Sequence, residues 1–285
     1  MFASQSTQRN LVIALLLAVA AVCWVWLLTR ASDGMDTATG MAMTSPTMGL
    51  PAPVFLVMWI IMMVAMMFPT MTPMVSTFHR IQAGKRVRGE AFVSTWTFVA
   101  GSTVVWAAAG MAAYLGAVAA EAIAARTGLS AAVAARIGGT FLIAAGLYQL
   151  TLLKDVCLSK CRSPIGFIMT SWRDGAWGAL RMGLGHGASC LGCCWLLMVI
   201  LFPLGIMNLG AMALVTLVVF AEKTLPWKRL AVHGTAAALM LYGAVVIAAP
   251  QALPTYTMAA SSMAMPGMNT PAKTMPRMAM PAAKQ

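Results

Sequence analysis

Five of the six cysteines fall into two short motifs. Cys157 and Cys161 stand four residues apart in CLSKC, and Cys190, Cys193 and Cys194 crowd together in CLGCC. On one continuous helix a four-residue spacing puts both thiols on one face, with Cβ atoms about 5–6 Å apart. A disulfide wants about 3.5–4.5 Å between Cβ atoms. Two thiolates sharing a metal, at about 2.3 Å per bond for Zn–S, accept the wider spacing. Metal ligation therefore suits the spacing better than redox cycling. His186, Cys190 and Cys194 run i, i+4, i+8, with Cys193 beside them and Met198 one turn further on. That is a continuous stripe of soft donors. The blander reading is small apolar packing, since a free Cys behaves as a small hydrophobe. Cys23, alone in its segment, reads as packing.

Methionine is the second unusual residue, with 26 in 285 positions. Thioether sulfur is a soft, neutral ligand that suits Cu(I) and offers little to Mg, Ca or Mn. In MWIIMMVAMMFPTMTPM, Met58, Met62 and Met66 share one helical face, with Met63 and Met67 on the adjacent one. Such a stripe commonly does no more than pack. Pro69 and Pro73 are expected to end this segment and leave backbone carbonyls free. Two further sets of Met lie in Pro-, Ser-, Thr- and Ala-rich stretches: Met35, Met41, Met43 and Met48, then Met258, Met263, Met265, Met268, Met275, Met278 and Met280. Their composition predicts disordered segments able to wrap a soft monovalent ion, or else low-complexity drift.

The elements that must position these residues are helices in a membrane. The chain is 60% hydrophobic and 9% charged with a mean hydropathy of +0.82, whereas soluble domains are roughly a quarter charged. Seven apolar runs, about 11–28, 54–69, 92–118, 131–153, 187–203, 206–221 and 230–249, are long enough or nearly so to cross as helices. No alternating ten-residue pattern supports a barrel. The expected fold is an all-α polytopic membrane protein of about seven spans. The first run reads as an anchor rather than a cleaved signal, because it exceeds a typical signal core. The expected organisation is an anchor at 1–31, a Met-rich linker at 32–52, a polytopic metal-binding domain at 53–250 and a Met-rich tail at 251–285.

The net charge of +12 does not indicate nucleic acid, because no basic stripe with interleaved aromatics occurs. The basic residues sit in short connections instead. With the N-terminus in the cytosol, inner segments hold thirteen of the 19 Lys and Arg, among them Arg80, Lys85, Arg86, Arg88, Lys154, Lys160 and Arg162. The positive-inside rule favours that orientation. It puts both Met-rich segments outside and both Cys motifs toward the cytosol. His79 and His233 read as interfacial or capping residues, and Glu222 as a carboxylate that pairs with a basic residue or else serves as a proton or ligand group. Trp172 and Trp177, around Arg173 and Asp174, read as an interfacial stretch.

The combination of MMVAMMFP after Trp59, YQLTLLKDVCLSKCRSP, GLGHGASCLGCCWLLM and Glu222-Lys223 resembles a bacterial family of integral membrane proteins described as predicted metal-binding, some of them labelled copper chaperones. The resemblance covers about 53–249. It implies a metal-binding membrane protein with Cys157, Cys161, Cys190, Cys193 and Cys194 as the matched thiols, and it supplies no mechanism. Together with His186, Met62, Met66 and Met198, these thiols form the expected metal set. The leading expectation is an inner-membrane copper protein, with Cu(I) as cargo, lipid around it and a copper-accepting protein as partner. A thiol–disulfide oxidoreductase and a structural subunit of a larger complex stand beside it. No nucleotide-binding loop, HExxH run or phosphate cradle occurs, and the chain is not read as an enzyme.

Overall fold

A computed structural model describes residues 2–37, 46–47, 49–206 and 208–256. Among the described residues the only regular structure is helical: α1 Phe2–Thr37, α2 Ala52–Val87, α3 Thr95–Thr127, α4 Ala131–Gln149, α5 Leu152–Arg162, α6 Pro164–Ser171, α7 Gly175–Val199, α8 Leu201–Leu204, α9 Leu209–Thr224 and α10 Lys228–Ala248. Six helical stretches are long and apolar enough to cross a membrane. They are Thr7–Arg30 in α1, then α2, α3, α4, the continuous Gly175–Leu204, and Arg229–Ala248 in α10. Large apolar side chains such as Leu11, Leu115 and Leu241 remain exposed on the outer faces. In a soluble monomer so much exposed apolar surface would be a liability, whereas lipid solvates it. The polytopic all-α expectation is met.

The remaining apolar run, α9, has 16 residues and spans about 24 Å at 1.5 Å per residue, short of a hydrocarbon core of about 30 Å. It ends early because Glu222 and Lys223 occupy its last turn. Two short helices, α5 and α6, replace the inner loop. The fourth apolar run does not continue as one helix through CLSKC: the chain turns at Leu150, and Thr151 caps the start of α5.

The prolines of α2 act differently from expectation. Pro69 and Pro73 lie inside a helix that continues to Val87 instead of ending it. A proline supplies no N–H to the carbonyl four residues earlier, and in lipid that carbonyl needs another donor. Trp24 of α1 provides one, its indole Nε1 donating to Ala65 O at 3.1 Å. Hydroxyls serve the same stretch, Thr70 to Met67 O at 2.9 Å and Thr72 to Phe68 O at 3.1 Å. The carbonyl that Pro69 frees, Ala65 O, is thus occupied by a side chain of another helix.

Close packing of helices rests on small residues, as it must where lipid tails are as apolar as the side chains. α3 and α7 approach through Gly101, Gly183 and Gly187, where an added Cβ would run into the backbone of the facing helix. Ser102 exploits the approach, donating to Gly183 O at 3.0 Å. α4 and α10 meet similarly at Gly139, Gly146 and Gly243. At the α8–α9 end, Trp59 lies over Gly110 and donates to Trp106 O at 3.1 Å. At the α5–α6 end, Lys85 of α2 pairs with Asp174, lies over the Trp172 ring and holds the Asp174 carboxyl below its ordinary range. Met35 falls in the last turns of α1, whereas Met41, Met43 and Met48 and the set at 258–280 lie outside the described residues.

Gly183→Val should force α3 and α7 apart and lose about 1–3 kcal/mol or more of stability. Gly116→Ala, facing open space, should stay within about 0.5 kcal/mol of the parent. Thermal unfolding in detergent distinguishes them, and equal stability of both variants would refute the packing account.

Candidate metal centre

α5 is amphipathic and turns Lys154, Leu158 and Cys161 inward at helical spacing. Lys154 is 1% exposed and Glu222 of α9 is 2% exposed. They meet with Lys154 Nζ donating to Glu222 Oε2 at 2.7 Å. Arg162, the last residue of α5, donates to Glu222 O and Leu225 O, each at 2.6 Å. It thereby satisfies carbonyls left over where α9 ends. Gln149 lies beside Glu222 with its amide buried. The expected pairing of Glu222 with a basic residue is made by Lys154.

Lys223 is thereby free to turn the other way. Its Nζ lies 3.2 Å from Cys190 Sγ, 3.3 Å from Thr70 Oγ1 and 3.9 Å from Met67 Sδ. Cys190 Sγ is 3.8 Å from Met67 Sδ. From α5, Cys161 comes within interaction range of Cys190 and Cys193. Thiol, thioether and ammonium therefore converge from α2, α5, α7 and α9. Leu209 to Lys223 along α9 measures about 21 Å, so the centre lies far from the α8–α9 turn and near the end of the bundle where α5 and α6 pack.

The other donors arrange themselves around this point. Cys193 and Cys194 each lie 3.0 Å from Cys190 O, and because a carbonyl only accepts, both are S–H donors. Cys157 does not join the cluster. It stacks its sulfur on the bare backbone of Gly192, whose carbonyl accepts from Tyr148 Oη. His186 is buried one turn before Cys190 between Phe98 and Phe167, at ring distances of 5.6 and 5.8 Å, and its Nδ1 has no hydrogen-bond partner. His79 contacts Thr95 and His233 contacts Arg229 O, both away from the thiols.

Of the expected thioethers, Met62 lines a small apolar cavity with Leu27, Phe55 and Trp59. Met66 and Met198 are buried in the hydrophobic core. The thioether that reaches the thiols is Met67, on the adjacent face of the Met stripe. Sequence reasoning ranked the regular i, i+4, i+8 face first and had no signal for which face meets α7. Lys223 was also missed as a participant. Its only signal was an ammonium placed before the loop, next to a carboxylate. No group of three or more His, Cys, Asp or Glu among the described residues stands as a formed metal site. The close soft donors instead comprise thiols and one thioether.

Residues 56–246 match the family described as the copper chaperone PpoB2. The chain belongs to that family, and a copper-related role follows. No curated protein and no solved structure matches it.

Lys154→Met should strand Glu222 in the interior and destabilise the fold by about 3–5 kcal/mol. Lys154→Met combined with Glu222→Leu should recover much of that loss. Detergent unfolding of the single and double variants checks it. A double variant no better than the single would mean the pair does not hold α5 to α9.

Proposed function

We propose that this copper-chaperone-family protein takes up Cu(I) at Cys190, Cys161 and Met67 and passes it on, with Cys193 and Cys194 as adjacent relay thiols. The observation that carries the reading is the meeting of Cys190, Cys161 and Met67 from three separate helices inside the bundle. Soft sulfur donors of this kind select Cu(I) and closely related ions over hard cations. Met-rich segments on the side opposite the thiols would collect scarce copper weakly, and the thiols would hold it more tightly. That gradient supports movement toward the thiols, in a multi-pass protein of the inner membrane with its N-terminus in the cytosol. Copper is cargo in this scheme, and no covalent chemistry is required of the chain.

Competition against a chromophoric Cu(I) chelator, under reducing conditions with the full chain in detergent, tests the assignment. Cys190→Ser or Cys161→Ser should abolish the tight site. Met67→Leu should weaken it about tenfold, equivalent to about 1.4 kcal/mol, while Met62→Leu should leave it unchanged. Affinity should fall as pH falls, because protons compete with copper for thiolate sulfur. Tight binding retained in Cys190→Ser would sink the reading. A stable disulfide after isolation from reducing cells would favour thiol–disulfide exchange instead.

Orientation is tested separately by reporter fusions. A reporter after Gly89 or Lys160 should report cytosol, and one after Met268 should report periplasm. A cytosolic tail would put the Met segment and the thiols on one side and remove the gradient.

A further inference from the structure

At the α5–α6 end of the bundle, three basic side chains converge on a hollow that the copper reading does not use. We propose that this hollow binds the phosphate headgroup of an anionic phospholipid whose acyl chains lie along the exposed apolar face of α6. The inference concerns a different set of side chains from the metal-binding reading and does not rest on it.

The hollow has a volume of about 790 Å³ and opens between α5, α6 and α7. One water takes up about 30 Å³ in liquid, so a headgroup fits easily. Lys160 reaches it from α5, Arg173 from the turn after α6, and Arg181 from the second turn of α7. Arg181, Gly185 and Ser189 recur every four residues and form one wall along a single face of α7. Gly185 keeps that wall low, and an added Cβ there would meet only Phe167 Cζ, at 3.8 Å.

Charge and hydrogen bonding point to an anion. Among the described residues no Asp or Glu lines the hollow. The ion pairs among them are Lys85–Asp174, Arg88–Glu90 and Lys154–Glu222. Asp174, next to Arg173 in sequence, is taken by Lys85 and by Trp172 Nε1 at 3.0 Å. Lys160, Arg173 and Arg181 therefore keep their charges for a ligand. The hydroxyls of Thr170 and Ser189 donate to Gly166 O at 2.9 Å and Gly185 O at 3.0 Å. The strongest donors left are the charged ones, and two of them are guanidinium forks that match the oxygens of a phosphate.

The surroundings point to a lipid rather than a soluble anion. Ile165 and Met169, one turn apart on α6, are 66% and 78% exposed. Trp177, one turn before Arg181 on the same face of α7, is 72% exposed. Apolar surface this bare suits acyl chains, and Trp suits the headgroup level. The span Gly175–Leu204 begins at this end, and Arg181 lies about 9 Å along it, where a long basic side chain still reaches headgroups. Basic hollows between membrane helices are of the kind that hold anionic headgroups. A phosphate bound here would tie α5 to α7, the two helices that bear Cys161 and Cys190.

Native mass spectrometry of the full chain in detergent, stripped of lipid and titrated with phosphatidylglycerol, phosphatidylcholine or glycerol phosphate, tests the site. The wild type should retain one phosphatidylglycerol and favour it over the zwitterionic phosphatidylcholine. Arg173→Gln with Arg181→Gln should lower that retention about tenfold or more. Gly185→Leu, which fills the hollow and leaves every charge in place, should lower it as well. Arg126→Gln with Arg136→Gln removes the same charge at the opposite end and should leave it unchanged. Thermal unfolding without lipid accompanies each variant, and Gly185→Leu decides if the Arg173 and Arg181 pair does not fold. Equal losses in the two Arg pairs would show diffuse attraction to a basic protein and overturn the proposal. So would unchanged retention in Gly185→Leu, or glycerol phosphate binding as tightly as phosphatidylglycerol, which would mark a site for soluble phosphate. No arm contains a metal, so failure here is distinguishable from failure of the copper reading.

Discussion

The ion pair of Lys154 and Glu222 decides where the chemistry of this chain sits. Both groups are removed from solvent, so neither tolerates the loss of the other. Their pairing fixes α5 against α9 and, with Arg162 closing the end of α9, leaves Lys223 pointing at α7. Cys161 is carried to the α7 thiols by the same helix that carries Lys154. The α9 helix is short for the same reason, since its last turn holds two ionisable side chains that need partners and not lipid. The polar pair ties α5 to α9, and the shared apolar core of Met71, Leu158, Leu197 and Val219 holds α2 and α7 against them.

The sequence displayed the helices and the thiols more readily than their partnerships. Apolar run length located the long helices, because a segment in lipid must satisfy its own backbone hydrogen bonds and only a helix does so locally. The Cys motifs were visible by composition alone. Which Cys of each motif would meet depended on a turn at Leu150 and Thr151, and that turn rotates CLSKC so that Cys161 faces Cys190 while Cys157 rests on Gly192. Periodicity marks faces of one helix and says nothing about which face a neighbouring helix will choose. Hence Met62 and Met66 stood out in the sequence and Met67 in the structure. His186 looked like the first rung of a donor ladder, but Phe98 and Phe167, distant in sequence, enclose it.

The prolines of α2 illustrate how a local rule is overridden. In water Pro69 and Pro73 would be expected to stop a helix, yet the helix continues, and the Ala65 oxygen that Pro69 orphans is met by Trp24. The Trp24 contact ties α1 to the helix that carries Met67. Removing α1 would leave the Ala65 carbonyl without this donor a short distance from the thioether. The first helix therefore bears on the geometry of the centre while contributing no ligand to it.

The depth of the centre has an electrical consequence. Moving one elementary charge across the full membrane potential is worth about 2.3 kcal/mol per 100 mV. In the proposed uptake, an ion that reached Cys190 from the α8–α9 face would pass along most of α9 and through most of the potential, whereas one that arrived from the α5–α6 face would pass through little of it. Voltage would then act on the first route and hardly on the second. The position of Lys223 in the last turn of α9 makes the two approaches to the cluster unequal in length.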